Sequence, residues 1–140
     1  MAVDIFLGLD VGSVRIGAAL ARADVRIAQP LKTLAAGDHA YDDILALVAE
    51  HGVTALVVGW PRGLQGQTTD QTSYVETFVE GLRGRLHLPV YLQDEALTSQ
   101  KAEAELRAHN KPFAKAEVDA LAATYILDDY LVALQRGARV

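Results

Sequence analysis

The stretch Ile5-Phe6-Leu7-Gly8-Leu9-Asp10-Val11-Gly12-Ser13 decides how this chain reads. In an extended strand Ile5, Leu7 and Leu9 point one way, and Phe6, Gly8 and Asp10 the other. Asp10 closes the apolar run and is followed at once by a glycine turn. A carboxylate there stands at a sheet edge, where a metal or a phosphate can be met. A second acidic pair, Asp94-Glu95, closes the strand-like run Val90-Tyr91-Leu92-Gln93, and Asp119 sits just inside a late helix. Three carboxylates at three element ends point to one shared site. Divalent cations are the hard, oxygen-seeking ions such a site holds.

Outward from the first strand, a turn over residues 11–14 leads to a second, Arg15 to Ala21, and Val25 to Pro30 returns as a third. Short links imply antiparallel pairing. Asp38 is placed to cap a helix running to about Glu50, with Ile44, Leu45, Leu47 and Val48 on its buried side. Gly52 ends it. Ala55 to Gly59 is a continuous apolar run, as in a strand covered on both faces. After the loop from Pro61 to Thr69, a helix is expected from about Asp70 to Leu86, with the stripe Val75, Phe78, Val79, Leu82 and Leu86. Val90 to Gln93 is a further strand. Thr98 or Ser99 caps a helix to about His109, and Asn110-Lys111-Pro112-Phe113 breaks it. The last helix spans about Lys115 to Gln135, with Val118, Leu121, Tyr125 and Leu131 on its apolar side.

This order predicts an α/β fold: a mixed five-stranded sheet, three antiparallel strands then parallel ones, with helices on both faces. Right-handed crossovers set the later strands parallel to the first. Ligands gather at the carboxyl ends of such strands, where Asp10 and Asp94-Glu95 lie.

At 140 residues, 51% hydrophobic and 22% charged, the chain is expected to be one domain over 1–140 with an ordinary core. It contains no cysteine, which excludes a disulfide framework and a thiolate nucleophile or metal ligand. No apolar stretch reaches the roughly 18 residues of a spanning helix, and the first residues lack a secretory pattern. A soluble, cytoplasmic protein with no membrane partner is expected. A net charge of −5 argues against a wide basic footprint for nucleic acid. Acids around a metal site count as negative only until cations bind, so contact with nucleic acid rests on a few local Arg and Lys.

Four motifs occur in order: Leu7-Gly8-Leu9-Asp10-Val11-Gly12-Ser13 with Arg15-Ile16-Gly17; Val57-Val58-Gly59-Trp60-Pro61 with Gly66; Asp94-Glu95-Ala96-Leu97-Thr98-Ser99; and Val118-Asp119-Ala120-Leu121-Ala122-Ala123 with Ile126-Leu127. With them the chain resembles the YqgF/RuvX family of Holliday-junction resolvases and pre-16S rRNA nucleases, within the RNase H-like superfamily. Three departures stand out. The family usually has Arg after its Asp-Glu pair, where this chain has Ala96. It commonly has Leu where Trp60 stands, and the loop Arg62-Gly63-Leu64-Gln65-Gly66 lacks the usual Asn. The resemblance implies an RNase H-like nuclease domain acting on structured nucleic acid.

Each candidate has a bland reading beside the functional one. Asp10 is also a turn-former before Gly12; the other acids and the resemblance favour catalysis. Asp94 and Glu95 alternate in a strand, so one of them faces Asp10, and either is also suited to cap a helix. Many relatives in the superfamily carry their second acid on the strand after the first helix, and here that strand, Ala55 to Gly59, has none. The acid then comes from the next strand, and the longer reach favours Glu95 as ligand with Asp94 supporting. Asp119 answers a helix dipole, yet its face carries Ala122, Ala123 and Ile126. An acid on a packing face is costly unless paired or metal-bound, which favours a ligand. Arg15, Arg62 and Lys101 are phosphate contacts or solvated charges. Thr98 supports the site or caps its helix. Trp60 stacks on a base or packs beside Pro61. The four histidines show no ligand spacing.

The leading expectation is a metal-dependent endonuclease in which Asp10, Glu95 and Asp119 hold two Mg²⁺ or Mn²⁺ ions for in-line displacement at phosphorus. Processing of the 5′ end of precursor 16S rRNA is preferred over resolution of branched DNA. A non-catalytic ribosome-assembly or nucleic-acid-binding factor is a third reading. A phosphotransferase sharing the Asp10-Val11-Gly12-Ser13 pattern is a weaker one, since the chain lacks a second glycine-rich loop. A symmetric resolvase would be a homodimer.

Overall fold

A computed structural model of the chain describes residues 3–61, 65–95 and 115–135, together with Ala104 and Ala108. Its elements are β1 (Ile5–Val11), β2 (Arg15–Arg22), β3 (Ala28–Ala35), α1 (Ala40–His51), β4 (Ala55–Pro61), α2 (Asp70–Arg83), β5 (Val90–Glu95) and α3 (Lys115–Gln135). The strands form one sheet in the order β3-β2-β1-β4-β5. β1, β2 and β3 pair antiparallel, and β1-β4 and β4-β5 pair parallel. The mixed five-stranded α/β sheet is the architecture the sequence predicts.

The alternation along β1 sorts the core into two layers. Leu7, Leu9 and Val11 pack with Ile44 and Leu47 of α1 and Val75, Phe78 and Leu82 of α2. Phe6, with Ala19 of β2 and Val57 of β4, packs with Ala123, Ile126, Leu127 and Tyr130 of α3. The described helices therefore cover both faces, α1 and α2 on one and α3 on the other. Asp10 shares the register parity of Phe6 and so belongs to the face under α3.

α3 lies unusually close to the sheet because three adjacent strands offer it bare backbone. A Cβ on Gly8 would collide with the Leu127 side chain, one on Gly59 with Ile126, and one on Gly17 with the carbonyl oxygen of Asp119. This close approach brings Asp119 down onto β2.

Several boundaries differ from expectation. The third strand runs over Ala28–Ala35, not Val25 to Pro30. Arg26 adopts φ 60°, and its N–H donates to the Arg22 carbonyl, so residues 23–27 are spent in the turn. Val25 and Ile27 stay exposed. Asp38 does not cap α1: the N-cap position is His39, with no side-chain cap bond. Leu45 and Val48 are only partly buried, and Ala40 joins Ile44 and Leu47 in the core. α2 stops at Arg83, with Leu86 packing from beyond its end. β5 continues through Glu95, so Asp94-Glu95 lies inside the strand. Apart from Ala104 and Ala108, the helix expected from Thr98 or Ser99 to His109 lies outside the described residues. No described helix is long and apolar enough to cross a membrane.

Candidate active site

The site is built at the carboxyl end of β1. Asp10 lies across from Gly17 of β2. The β1–β2 turn is closed by the Gly12 N–H donating to the Arg15 carbonyl at 3.0 Å. That bond places Arg15 at the first position of β2, beside the end of the strand that carries Asp10. From above, α3 lowers Asp119 onto Gly17. Asp10, Arg15 and Asp119 are thus assembled by one hairpin and one close helix-to-sheet contact.

Burial pushes the Asp10 carboxyl up to about 6 from an ordinary 3.8, and the negative charge of Asp119 adds to the rise. Removing water disfavours the charged form, and a like charge nearby does the same. Asp119 in turn accepts a hydrogen bond from Arg15 Nε at 2.6 Å. Both side chains keep contact with solvent, 36% exposed for Arg15 and 18% for Asp119. Two carboxylates that feel each other's charge, the one on β1 pushed toward its neutral form chiefly by burial, suit a cation. Among the described residues no group of three or more His, Cys, Asp and Glu is close enough to hold a metal.

The register settles the geometry of β5. Gly8 pairs with Val57 and Leu9 with Val58, so Asp10 is level with Gly59. Gly59 pairs with Gln93, Trp60 with Asp94 and Pro61 with Glu95. Position 95 therefore shares the parity of Asp10, one side-chain step further along and about 12 Å away backbone to backbone. Asp94 has the opposite parity, that of Trp60, and is exposed. The Glu95 side chain, Thr98, Arg62 and Lys101 lie outside the described residues. His39 and His87 are exposed, and His51 is half-buried beside Glu50 at 3.0 Å.

Sequence reasoning missed how α2 is tied to this end of the sheet. Gln71 Nε2 donates to the Val11 carbonyl at 2.8 Å, one residue beyond Asp10. Thr72 donates to the carbonyl of Pro61, and its hydroxyl also receives the Thr69 N–H at 2.9 Å. Thr69 reciprocates by accepting from the Thr72 N–H. The signal was present in Thr69 and Thr72: two hydroxyl residues three apart just ahead of an apolar stripe, the spacing of a capping box. Gln93 was also passed over, although it is level with Asp10 across Gly59.

A sequence model of a family described as RuvX, Holliday junction resolvase, matches residues 4–133. The chain belongs to the RuvX family. A RuvX relative from Chloroflexus aurantiacus (strain ATCC 29366 / DSM 635 / J-10-fl) is 45% identical over 131 residues, covering 91% of this chain and 86% of the relative. One from Geobacillus kaustophilus (strain HTA426) is 36% identical over 131 residues, with 89% and 95% covered. Both bear the name "Putative pre-16S rRNA nuclease". Among solved structures, T. thermophilus RuvC in complex with Holliday junction substrate superposes with a TM-score of 0.60 at 16% identity, covering 96% of this chain and 97% of that one. Fowlpox virus resolvase, solved with Holliday junction DNA, gives 0.51 at 10% identity, with 93% and 98% covered. At such identities the shared property is the fold. The RNase H-like architecture read from the four motifs stands, and the expected enzyme class, a nuclease, stands with the RuvX family.

Proposed function

We propose that this RuvX chain is a metal-dependent endonuclease, one nuclease domain over residues 1–140, that hydrolyses phosphodiester bonds in structured nucleic acid. The observation that carries the reading is Asp10: a half-buried carboxylate at the carboxyl end of β1, raised to about 6 by burial and by the charge of a second carboxylate, Asp119. Asp10 and Asp119 would hold the cation, with Glu95 completing the set from β5. The register supports Glu95 over Asp94, since position 95 shares the parity of Asp10. The donor set fits Mg²⁺ or Mn²⁺, because it is all oxygen and short of positive charge.

When bound, such an ion supplies positive charge to the phosphate oxygens and acidifies water beside them. The protein's own contributions are separate. Asp10 must give up its proton to enter the working state, because burial favours the neutral form. α3, seated on Gly8, Gly17 and Gly59, keeps bulk water from the inner side of the carboxylates. Arg15 stands at the mouth, where a phosphate would arrive, and Arg62 and Lys101 would extend that contact.

The preferred substrate is the 5′ end of precursor 16S rRNA, supported by the names of relatives up to 45% identical. Resolution of branched DNA is the second reading, supported by the family description. The test is cleavage of a precursor 16S rRNA 5′ segment and a four-way DNA junction with Mg²⁺, Mn²⁺ or EDTA, using wild type and Asp10→Asn. Metal-dependent cutting of the RNA, lost in Asp10→Asn, is the expected result. Cutting of the junction alone moves the assignment to a resolvase and calls for a homodimer in solution. Binding of both substrates with cutting of neither leaves a ribosome-assembly factor and ends the nuclease mechanism.

A further inference from the structure

Asp119 is the more enclosed partner of the Arg15 pair, and its backbone is fixed against Gly17. Arg15 is fixed too, but only as far as its backbone, through the Gly12–Arg15 turn. Its guanidinium engages Asp119 side-on, one nitrogen to one carboxylate oxygen. This is the weaker way for Arg to meet a carboxylate, since the two-pronged form adds a second parallel bond. The pair is also part-solvated. Ion pairs of that kind are worth about fivefold or less in an equilibrium constant. Asp10, close enough to feel the charge of Asp119, is paired with no cation among the described residues. One monovalent guanidinium therefore serves a site with two carboxylates.

We propose that Arg15 is an exchangeable counter-charge: it yields Asp119 to an arriving divalent cation and turns its guanidinium to a nucleic-acid phosphate, so that cation and nucleic acid bind with positive coupling. The inference rests on the reading of Asp10 and Asp119 as a cation site. A divalent ion held by Asp10 and Asp119 would bring charge enough to balance both, which Arg15 does not. The displaced guanidinium has the planar fork that phosphate recognition uses. It is tethered at the mouth, so its new partner is whatever anion the ion has just made welcome. Coupling of this sort is reciprocal: nucleic acid that draws Arg15 away must raise the affinity for the cation by the same factor.

The test uses the whole chain and binding alone. Mn²⁺ is titrated calorimetrically into wild type, Arg15→Gln, Arg15→Lys and Asp10→Asn. A labelled four-way DNA junction is then bound by anisotropy with and without Ca²⁺, a hard cation of the same ligand preference. Arg15→Gln is expected to bind Mn²⁺ more tightly than wild type, by about fivefold, because its competitor is gone. It is also expected to lose most of the gain in junction affinity that Ca²⁺ gives wild type, with Arg15→Lys between the two. Unchanged or weakened Mn²⁺ binding in Arg15→Gln overturns the exchange and makes Arg15 a permanent brace of Asp119. Wild type that binds no Mn²⁺, or Asp10→Asn that binds it as well as wild type, overturns the cation site itself and the exchange with it.

Discussion

Gly17 and Asp119 meet backbone to backbone, with no room for a Cβ between the strand and the helix carbonyl. Gly17 is also the cross-strand partner of Asp10. One bare residue thus sets the spacing between a carboxylate on the sheet and a carboxylate on a helix more than 100 positions later in the chain. The neighbouring strands repeat the device at Gly8 and Gly59, where Leu127 and Ile126 occupy the space that side chains would fill.

Gly17→Ala is therefore expected to displace the start of α3 rather than fill a gap. The obstacle is backbone, which cannot swing aside. Overpacking of this kind costs about 1–3 kcal/mol, to be read from urea denaturation. Because Asp119 rides on the displaced segment, Mn²⁺ affinity should fall as well. An alanine variant with wild-type stability and wild-type Mn²⁺ affinity would show that the helix does not depend on this contact.

Divalent cations are expected to stabilise the folded chain. A ligand that binds only the native state raises stability by about 2.7 kcal/mol at a hundredfold excess over its dissociation constant. Mg²⁺ or Mn²⁺ should thus raise the melting temperature of wild type, and EDTA should reverse the rise. Asp10→Asn should show little of it and lose cleavage by roughly 10²- to 10³-fold, the loss typical when transition-state charge stabilisation is removed. An equal rise in both proteins would mean the ions bind elsewhere.

The two layers of the core and the place of Asp10 were legible because period-two alternation in β1 is strict and its apolar residues leave no second solution. The span of the last helix was legible, about Lys115 to Gln135, but its buried side was not: Leu121 and Tyr125 are only partly buried, and Ala123, Ile126, Leu127 and Tyr130 join Leu131 in the core. Sequence reading failed where backbone conformation outvoted hydrophobicity. Val25 and Ile27 look like strand residues, but Arg26 takes a left-handed conformation and turns them outward. Asp38 has the chemistry of a cap, yet the chain enters α1 one residue later. Register was the other hidden quantity. Only the pairing of Gly59 with Gln93 reveals which of Asp94 and Glu95 shares the parity of Asp10, and no local pattern encodes it. The Arg15–Asp119 pair spans 104 positions, and nothing in either neighbourhood announces it.

Thr72→Val tests the tie between α2 and the end of β4. The substitution keeps the shape of a buried side chain and removes its hydroxyl. The Pro61 carbonyl and the Thr69 N–H each lose a partner. Both lie where water reaches, so each lost bond costs about 0.5–1.5 kcal/mol, and denaturation should shift by about 1–3 kcal/mol in all. Thr69→Ala, losing only its half of the capping box, should cost about 1 kcal/mol. Equal and negligible effects would rule out a structural role for the box.

The raised Asp10 carboxyl gives a pH dependence whose sign can be worked out. In the unfolded chain Asp10 loses its proton near 3.8, and in the folded chain near 6. Between those values the native state binds a proton that the unfolded state has released, so stability falls as pH rises. The contribution is fully present below the unfolded value and gone above the folded one. Two pH units of separation correspond to about 3 kcal/mol. Asp10→Asn never ionises, so its stability profile should lack this fall, and above about pH 6 it should exceed that of metal-free wild type. The same proton opposes the cation: below about 6, Mn²⁺ must displace it, so affinity should drop with falling pH. Denaturant melts of both proteins from pH 4 to 8 in EDTA decide the matter. Parallel profiles would place the raised carboxyl elsewhere than Asp10.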